Sequence, residues 1–295
     1  MPLEYFICPD KDVSPISSCM AKCRMGERCL TLPTLKLLSS ERVWEGVPST
    51  TQLLNGTMYE FLKLTVSYGV DPDSRAFMLA GTRHHAALED VAKELGLPSE
   101  IALSVDRDIF DLLELDEDGG LVLTDMKLWG SYRVAKVLGL VETGKRPDPS
   151  GATYKTTSRF GTAGSPKMVP VFQSMPQEAD NWDSEMQLNN YRVMLEDRGI
   201  PIKRMQLQVT VRDGGLQVAR GRGVERNTNR IQEPKLDDDM VREYFSDKAA
   251  ALIEAMNSGE WTLPCNDHES WDGTRCDRFC EVWHHCIKGQ ICHQE

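Results

Sequence analysis

One spacing of cysteines occurs twice in this chain of 295 residues, once near each end. Cys8, Cys19, Cys23 and Cys29 read C-x10-C-x3-C-x5-C, and Cys265, Cys276, Cys280 and Cys286 repeat all three intervals. Three matching intervals argue against accident, so each quartet is expected to be a self-contained four-thiolate site, its x3 interval setting two sulfurs one helical turn apart. Four sulfurs around one centre suit tetrahedral Zn2+ or an iron-sulfur cluster. Reduced structural thiols would explain one quartet as well, but not the repeat. Cys292 is a spare thiol or a substitute for a quartet member. The chain therefore divides into a four-Cys module over 1–30, a core over 31–262 and a second four-Cys module over 263–295.

With 40% apolar and 27% charged residues, the chain can bury one large core. It has no apolar run of the roughly 18 residues a membrane span needs, and no basic stretch leading into an apolar one at the start, so a cytoplasmic location is expected. Thiols stay reduced there, which favours metal ligation over disulfides. The net charge of -11 counts against a simple nucleic-acid coat protein but suits an acidic site neutralised by metal ions.

Within the core the most informative stretch is 108–127, DIFDLLELDEDGGLVLTDMK. Two apolar runs flank an acidic turn closed by Gly119 and Gly120, which predicts a β-hairpin over about 101–128. Alternation puts Asp125 and Lys127 on one strand face, and Asp111 can reach them across the pair. Asp116, Glu117 and Asp118 are expected to be solvated in the turn. Asp111 and Asp125 instead interrupt apolar strands, where an unpaired carboxylate is costly. Two carboxylates holding Mg2+ or Mn2+ beside a lysine make a site for metal-assisted hydrolysis, the lysine stabilising phosphate charge or orienting water.

Helical patterns are expected over 35–38, 53–64 and 75–95, the second starting at Pro48-Ser49-Thr50 and the third stopping at Gly96 and Pro98. Residues 181–198 form an amphipathic helix with Gln187, Tyr191, Met194 and Leu195 on one face, where a glutamine needs a partner. Residues 205–211 and 216–219 read as a second hairpin around Asp213-Gly214-Gly215. A helix over 236–256 would turn Val241, Phe245, Leu252, Ile253 and Met256 inward. Two basic segments suit a nucleic-acid backbone. One is a flexible stretch over 144–165 with Lys145, Arg146, Lys155 and Arg159 interleaved with Tyr154 and Phe160; the other is a loop with Arg220, Arg222, Arg226 and Arg230. Solvated loops are the plainer reading of both.

Taken together, Gly81-x-x-x-His85, Asp111, Asp125-x-Lys127 and Gln187-x-x-x-Tyr191 resemble, in order and spacing, the RecB-type branch of the PD-(D/E)XK nucleases. That branch includes CRISPR spacer-adaptation exonucleases and phage-encoded RecB-like nucleases. The resemblance implies an α/β fold: a restriction-endonuclease-like core, with a mixed central sheet flanked by helices, carrying small cysteine-rich metal modules at both ends. It also implies that His85, Asp111 and Asp125 hold Mg2+ or Mn2+, and that Lys127 activates the attacking water. Gln187 and Tyr191 would support the lysine or the DNA strand, and Glu89 would buttress the site. The chain departs from the pattern at Asp108, where the family has glycine, and this leaves Asp106 or Asp108 as substitutes for Asp111. Iron-sulfur relatives take one cysteine from before the core and three from after it, whereas each end here has a complete quartet. Zn2+ is expected at the N-terminal quartet, and Zn2+ or a [4Fe-4S] cluster at the C-terminal one.

The resulting expectation is a metal-dependent DNA nuclease, an exonuclease acting on single strands or DNA ends in phage or bacterial recombination, replication or defence. A helicase or recombination protein would be a fitting partner, and no membrane is involved. The competing expectation is a catalytically inactive nuclease-fold scaffold that binds DNA and carries two zinc modules.

Overall fold

The computed structural model describes residues 2–41, 43–104, 107–158 and 161–293. The first strand, β1 (Leu3–Ile7), pairs with β2 (Val13–Pro15), and the chain continues through α1 (Ile16–Ala21), α2 (Leu32–Leu38), α3 (Thr50–Leu54) and α4 (Thr57–Thr65). A third strand, β3 (Tyr68–Val70), joins β1 in parallel, and α5 (Pro72–Arg75) and α6 (Phe77–Glu94) follow. An antiparallel meander comes next, made of β4 (Ser99–Ser104), β5 (Arg107–Leu115) and β6 (Leu121–Trp129). After α7 (Ser131–Val137), β7 (Leu140–Pro147) and β8 (Met168–Ser174) form a separate two-stranded arm. The remaining elements are α8 (Trp182–Glu196), β9 (Ile202–Val211), α9 (Gln217–Arg220), β10 (Thr228–Glu233), α10 (Asp238–Ser258), α11 (Thr274–Arg278) and α12 (Ile287–Cys292).

The central sheet has the order β10-β9-β6-β5-β4 and is mixed, because β9 runs parallel to β6 while the other neighbours are antiparallel. A parallel partner needs a crossover, and the chain supplies it through α7, the arm and α8. Leu188, Tyr191 and Leu195 of α8 cover one face, over Leu123, Met205, Leu207 and Val209. Leu88 and Ala92 of α6 cover the other, over Leu112 and Met126. This is the mixed α/β sheet flanked by helices that the pattern predicts.

A second core joins the two ends of the chain. Leu3, Phe6 and Cys19 pack with Leu35, Tyr59, Leu252, Val282 and Cys286. Gly56, at the N-cap of α4, makes room for the contact: a Cβ there would lie 2.3 Å from the Cys265 sulfur. The helix expected over 53–64 is accordingly broken at Asn55-Gly56 into α3 and α4.

Other elements also differ from expectation. Residues 216–219 form no strand: Leu216 caps the short α9, and the antiparallel partner of β9 is β10, which includes Arg230. Strand pairing is decided by which apolar face the sheet can bury, and an Asp-Gly-Gly turn signal does not fix it. The stretch expected to be flexible contributes the second half of strand β7 and, through Thr153, an isolated bridge to Pro166 in the arm. In α10, Ala255 faces inward where Ile253 was expected, and Ile253 stays exposed.

Asp108 is not a substitute for Asp111, and Asp106 lies outside the described residues. Asp108 has φ of 54°, the left-handed region that glycine adopts without strain and aspartate tolerates. Its buried carboxylate accepts from the Thr50 amide at 2.6 Å and the Ser104 hydroxyl at 2.7 Å, so it caps α3 against the sheet. Asp108→Ala is expected to cost about 2–3 kcal/mol in urea unfolding, because it leaves a buried amide unpaired and keeps the left-handed backbone. Asp108→Asn should cost less, since asparagine can keep both the bond and the backbone. A loss under about 0.5 kcal/mol for alanine would remove the capping role.

Candidate active site at the end of the central hairpin

The strands expected to carry the acids do so. Gly119, at φ of 83°, closes the turn between β5 and β6. Pairing of β5 with β6 begins at Leu112. Just before it, the Asp111 carboxylate accepts from the Met126 backbone amide at 2.5 Å. Asp125 is buried on β6, and Lys127, two residues along the same face, puts its Nζ 2.7 Å from Asp125 Oδ2. Despite that proximity, Oδ2 makes no well-directed hydrogen bond.

The helix α6 delivers His85, whose Nδ1 lies 3.5 Å from Asp111 and 3.6 Å from Glu100. One donor atom from each of His85, Glu100 and Asp111 falls within 4.8 Å of the others, a span that one divalent ion can bridge. These two carboxylates, Asp111 first, push the His85 imidazole up to about 10, so without a metal the ring carries the balancing charge. Burial pushes the Asp125 carboxyl above the usual carboxylate range, with Lys127 opposing it and Asp111 adding to it. Burial opposes the charge on Lys127 as well, yet Asp125 and Asp111 together hold its pKa above the ordinary value.

From α8, Gln187 takes the partner its position demands. Its Oε1 accepts from Lys127 at 3.2 Å and its Nε2 donates to Tyr191 Oη at 3.3 Å. Tyr191 is buried. The result is a continuous polar chain from Tyr191 through Gln187 and Lys127 to Asp125, next to the His85, Glu100 and Asp111 donors. An oxygen- and nitrogen-rich set of this kind suits Mg2+ or Mn2+; Asp125, expected as a third ligand, is not among the donors that converge, and its Oδ2 faces the Lys127 ammonium.

Glu100 escaped the sequence reading. It follows Pro98 and Ser99 at the start of β4 with φ of 50°, so it resembles a turn residue, and only the pairing of β4 with β5 brings it to Asp111. Glu89 does not buttress the site; it pairs with Lys93 one turn further along α6.

Each cysteine quartet is gathered around one cavity. Cys8, Cys19, Cys23 and Cys29 line one, and Cys265, Cys276, Cys280 and Cys286 line the other. The local structures also match: Cys19 and Cys276 sit on short helices, Cys23 and Cys280 lie beyond their ends, and Cys29 and Cys286 precede the next helix. The x3 interval therefore runs off a helix end instead of spanning a continuous turn. Among the described residues, which include all nine cysteines, no three sulfurs lie mutually within 4.8 Å. A single zinc with bonds of about 2.3 Å draws its sulfurs to roughly 3.8 Å from one another. Cys292 lies close enough to Cys276 to contribute to raising its pKa, after the larger effect of burial.

Of the basic segments, Lys145, Arg146 and Lys155 are exposed on the arm or its tip, while the Tyr154 ring packs over Gly161. Arg159 and Phe160 lie outside the described residues. Arg220 and Arg226 are exposed near the base of the arm, where Gly223, at φ of 79°, packs against Phe172.

A further buried acid lies on the α8 side of the sheet. Glu233 accepts from Asn181, and burial together with nearby Glu185 pushes its carboxyl up to about 8. Its folded pKa exceeds the unfolded value of about 4.3, so the linked stability is complete below that value and is lost as pH rises through about 8. Glu233→Gln should therefore melt close to wild type at pH 4 and several degrees higher at pH 8.5. A constant difference across that range in thermal melts would contradict the raised pKa.

No family model and no curated protein matches the chain. One solved structure, that of SSO0001, matches with a TM-score of 0.39 and 13% identity over 86% of this chain and 91% of that one. No helix among the described residues is long and apolar enough to cross a membrane.

Proposed function

We propose that the chain is a metal-dependent DNA nuclease of the RecB-like PD-(D/E)XK type, with a restriction-endonuclease-like core, acting on single strands or ends. The observation that carries the reading is convergence: two helices and two strands bring the His85–Asp111 pair and the Asp125–Lys127–Gln187–Tyr191 chain together, Asp111 bonding the Met126 amide between Asp125 and Lys127 and lying near enough to Asp125 for its charge to be felt there. His85, Asp111 and Asp125, joined by Glu100, would hold Mg2+ or Mn2+, which when bound would neutralise phosphate charge and favour ionisation of a water. Lys127 would orient that water and stabilise charge developing on the phosphate. Gln187 fixes the lysine head group, and Tyr191 fixes Gln187.

Both cysteine quartets fit a metal centre in donor chemistry, four thiols around one cavity at each end suiting Zn2+ or an iron-sulfur cluster. A brown preparation absorbing near about 400 nm would report iron-sulfur, and a colourless one holding about two zinc ions would report Zn2+ at both ends. The nuclease reading is tested by incubating purified protein with end-labelled single-stranded, duplex and circular DNA in Mg2+ or Mn2+. Cleavage that chelation abolishes supports it, and intact DNA in every case overturns it.

A further inference from the structure

Next to the site, the turn that follows β6 gathers aromatic rings and guanidinium groups. Arg133 sits 5.4 Å from the Trp129 ring centre, Arg222 5.8 Å from Tyr132, and Arg212 4.4 Å from Phe77. Lys136 adds a fourth contact, 5.7 Å from Tyr132. Lys63 and Arg275 make a second group of such contacts, around Tyr59, but Tyr59 is buried, whereas Phe77 and Tyr132 in the group beside the site are exposed.

The backbone binds these residues into one surface. The Arg212 amide donates to the Trp129 carbonyl at 2.7 Å, and Arg222 donates to Ser131 Oγ at 2.8 Å. Asp213 accepts from both the amide and the hydroxyl of Ser131, at 2.6 and 2.7 Å, which fixes the turn. Phe77 opens α6, the helix that carries His85, and Trp129 ends the strand that carries Lys127. The surface is thus continuous with the active site, and Arg133 is near enough to Lys127 for its charge to be felt there.

Phe77 and Tyr132 are each 62% exposed although both are large and aromatic. Each has one ring face near a cation and substantial area open to solvent. Asp180 partly balances Arg133, and Asp213 partly balances Arg222; no carboxylate pairs with Arg212 among the described residues. Exposed rings flanked by guanidinium groups offer stacking faces for bases and positive charge for the connecting phosphates. In a duplex the base faces are already stacked on one another, so only an unpaired strand can use the rings.

Resting on the nuclease reading for what lies beyond the surface, we infer that Phe77, Trp129, Tyr132, Arg133, Arg212 and Arg222 form a stacking platform that leads unpaired DNA bases to the active site. Its test is fluorescence anisotropy with a labelled 20-nucleotide oligo-dT and a 20-base-pair duplex, without added Mg2+ or Mn2+ so that cleavage does not intervene. Phe77→Ala and Tyr132→Ala should each weaken oligo-dT binding about tenfold and change duplex binding less than twofold, while Tyr132→Phe stays near wild type. Thermal melts of the variants should match wild type, since both rings are exposed.

Wild-type protein that does not bind oligo-dT would overturn the platform. So would a Phe77→Ala/Tyr132→Ala double variant that binds it like wild type, or one that loses affinity for both DNAs equally. The two readings fail separately. Selective loss of oligo-dT binding in a protein that never cuts DNA keeps the platform and removes the nuclease. Cleavage by a protein whose binding ignores the rings does the reverse.

Discussion

Lys127→Ala is expected to lower the rate of DNA cleavage at least a thousandfold. The Nζ of Lys127 is the cation closest to Asp125, at 2.7 Å, and Gln187 holds it in place at 3.2 Å. A preorganised donor aimed at developing charge contributes about a hundredfold to a thousandfold on its own, and in the proposed mechanism the same group would also orient water. Lys127→Arg should recover little, because the planar fork cannot reproduce a compact ammonium seated between Asp125 and Gln187. The variant should remain folded. Removing one partner of a buried pair costs about 3–5 kcal/mol when the other stays charged, but the raised pKa of Asp125 lets it take up a proton instead. Single-turnover rates on end-labelled single-stranded DNA, alongside a thermal melt, check both parts. Cleavage within tenfold of wild type would remove Lys127 from the chemistry.

The second large effect is expected at the cysteines. Cys280→Ser should cost the C-terminal quartet its metal and make the stretch 259–293 a target for limited proteolysis. Metal binding and folding are coupled in small thiolate modules, where binding contributes on the order of 10 kcal/mol or more. The helices of this module, α11 and α12, span only five and six residues. The loss should reach the other end, because Val282 and Cys286 share a core with Leu3, Phe6 and Cys19. Metal analysis and mass mapping of proteolytic fragments should show a fall in bound metal and new cuts at both ends. Unchanged metal content in Cys280→Ser and Cys276→Ser would rule out a centre at this quartet.

What could be read in advance was local. Asp125 and Lys127 share a face because strands alternate, and the glycine turn names the hairpin that brings Asp111 beside them. Gln187 drew attention as a polar residue on an inward helix face, and its bond to Lys127 supplies the reason. Non-local pairing was not legible. Glu100 joins His85 only because β4 folds back on β5, and β10 reaches β9 past a short helix that the turn residues hide. The glycine the pattern wanted at 108 was a statement about backbone φ, and aspartate meets it while adding a cap. The platform rings were invisible for a similar reason, since Phe77, Trp129 and Tyr132 lie on three separate elements or their junctions.

The core shared by the two ends bears on how the protein is made. Leu3, Phe6 and Cys19 leave the ribosome well before Leu252, Val282 and Cys286, against which they pack. At about 5–20 residues per second, the opening strand pair and its thiols wait on the order of 15–60 s before that shelter exists. During this interval the first quartet is exposed to oxidants and to competing metals, whereas the second emerges only as its surroundings close. The two sites share a spacing but differ in the hazards of their synthesis, and the opening segment is where failed maturation should first be found.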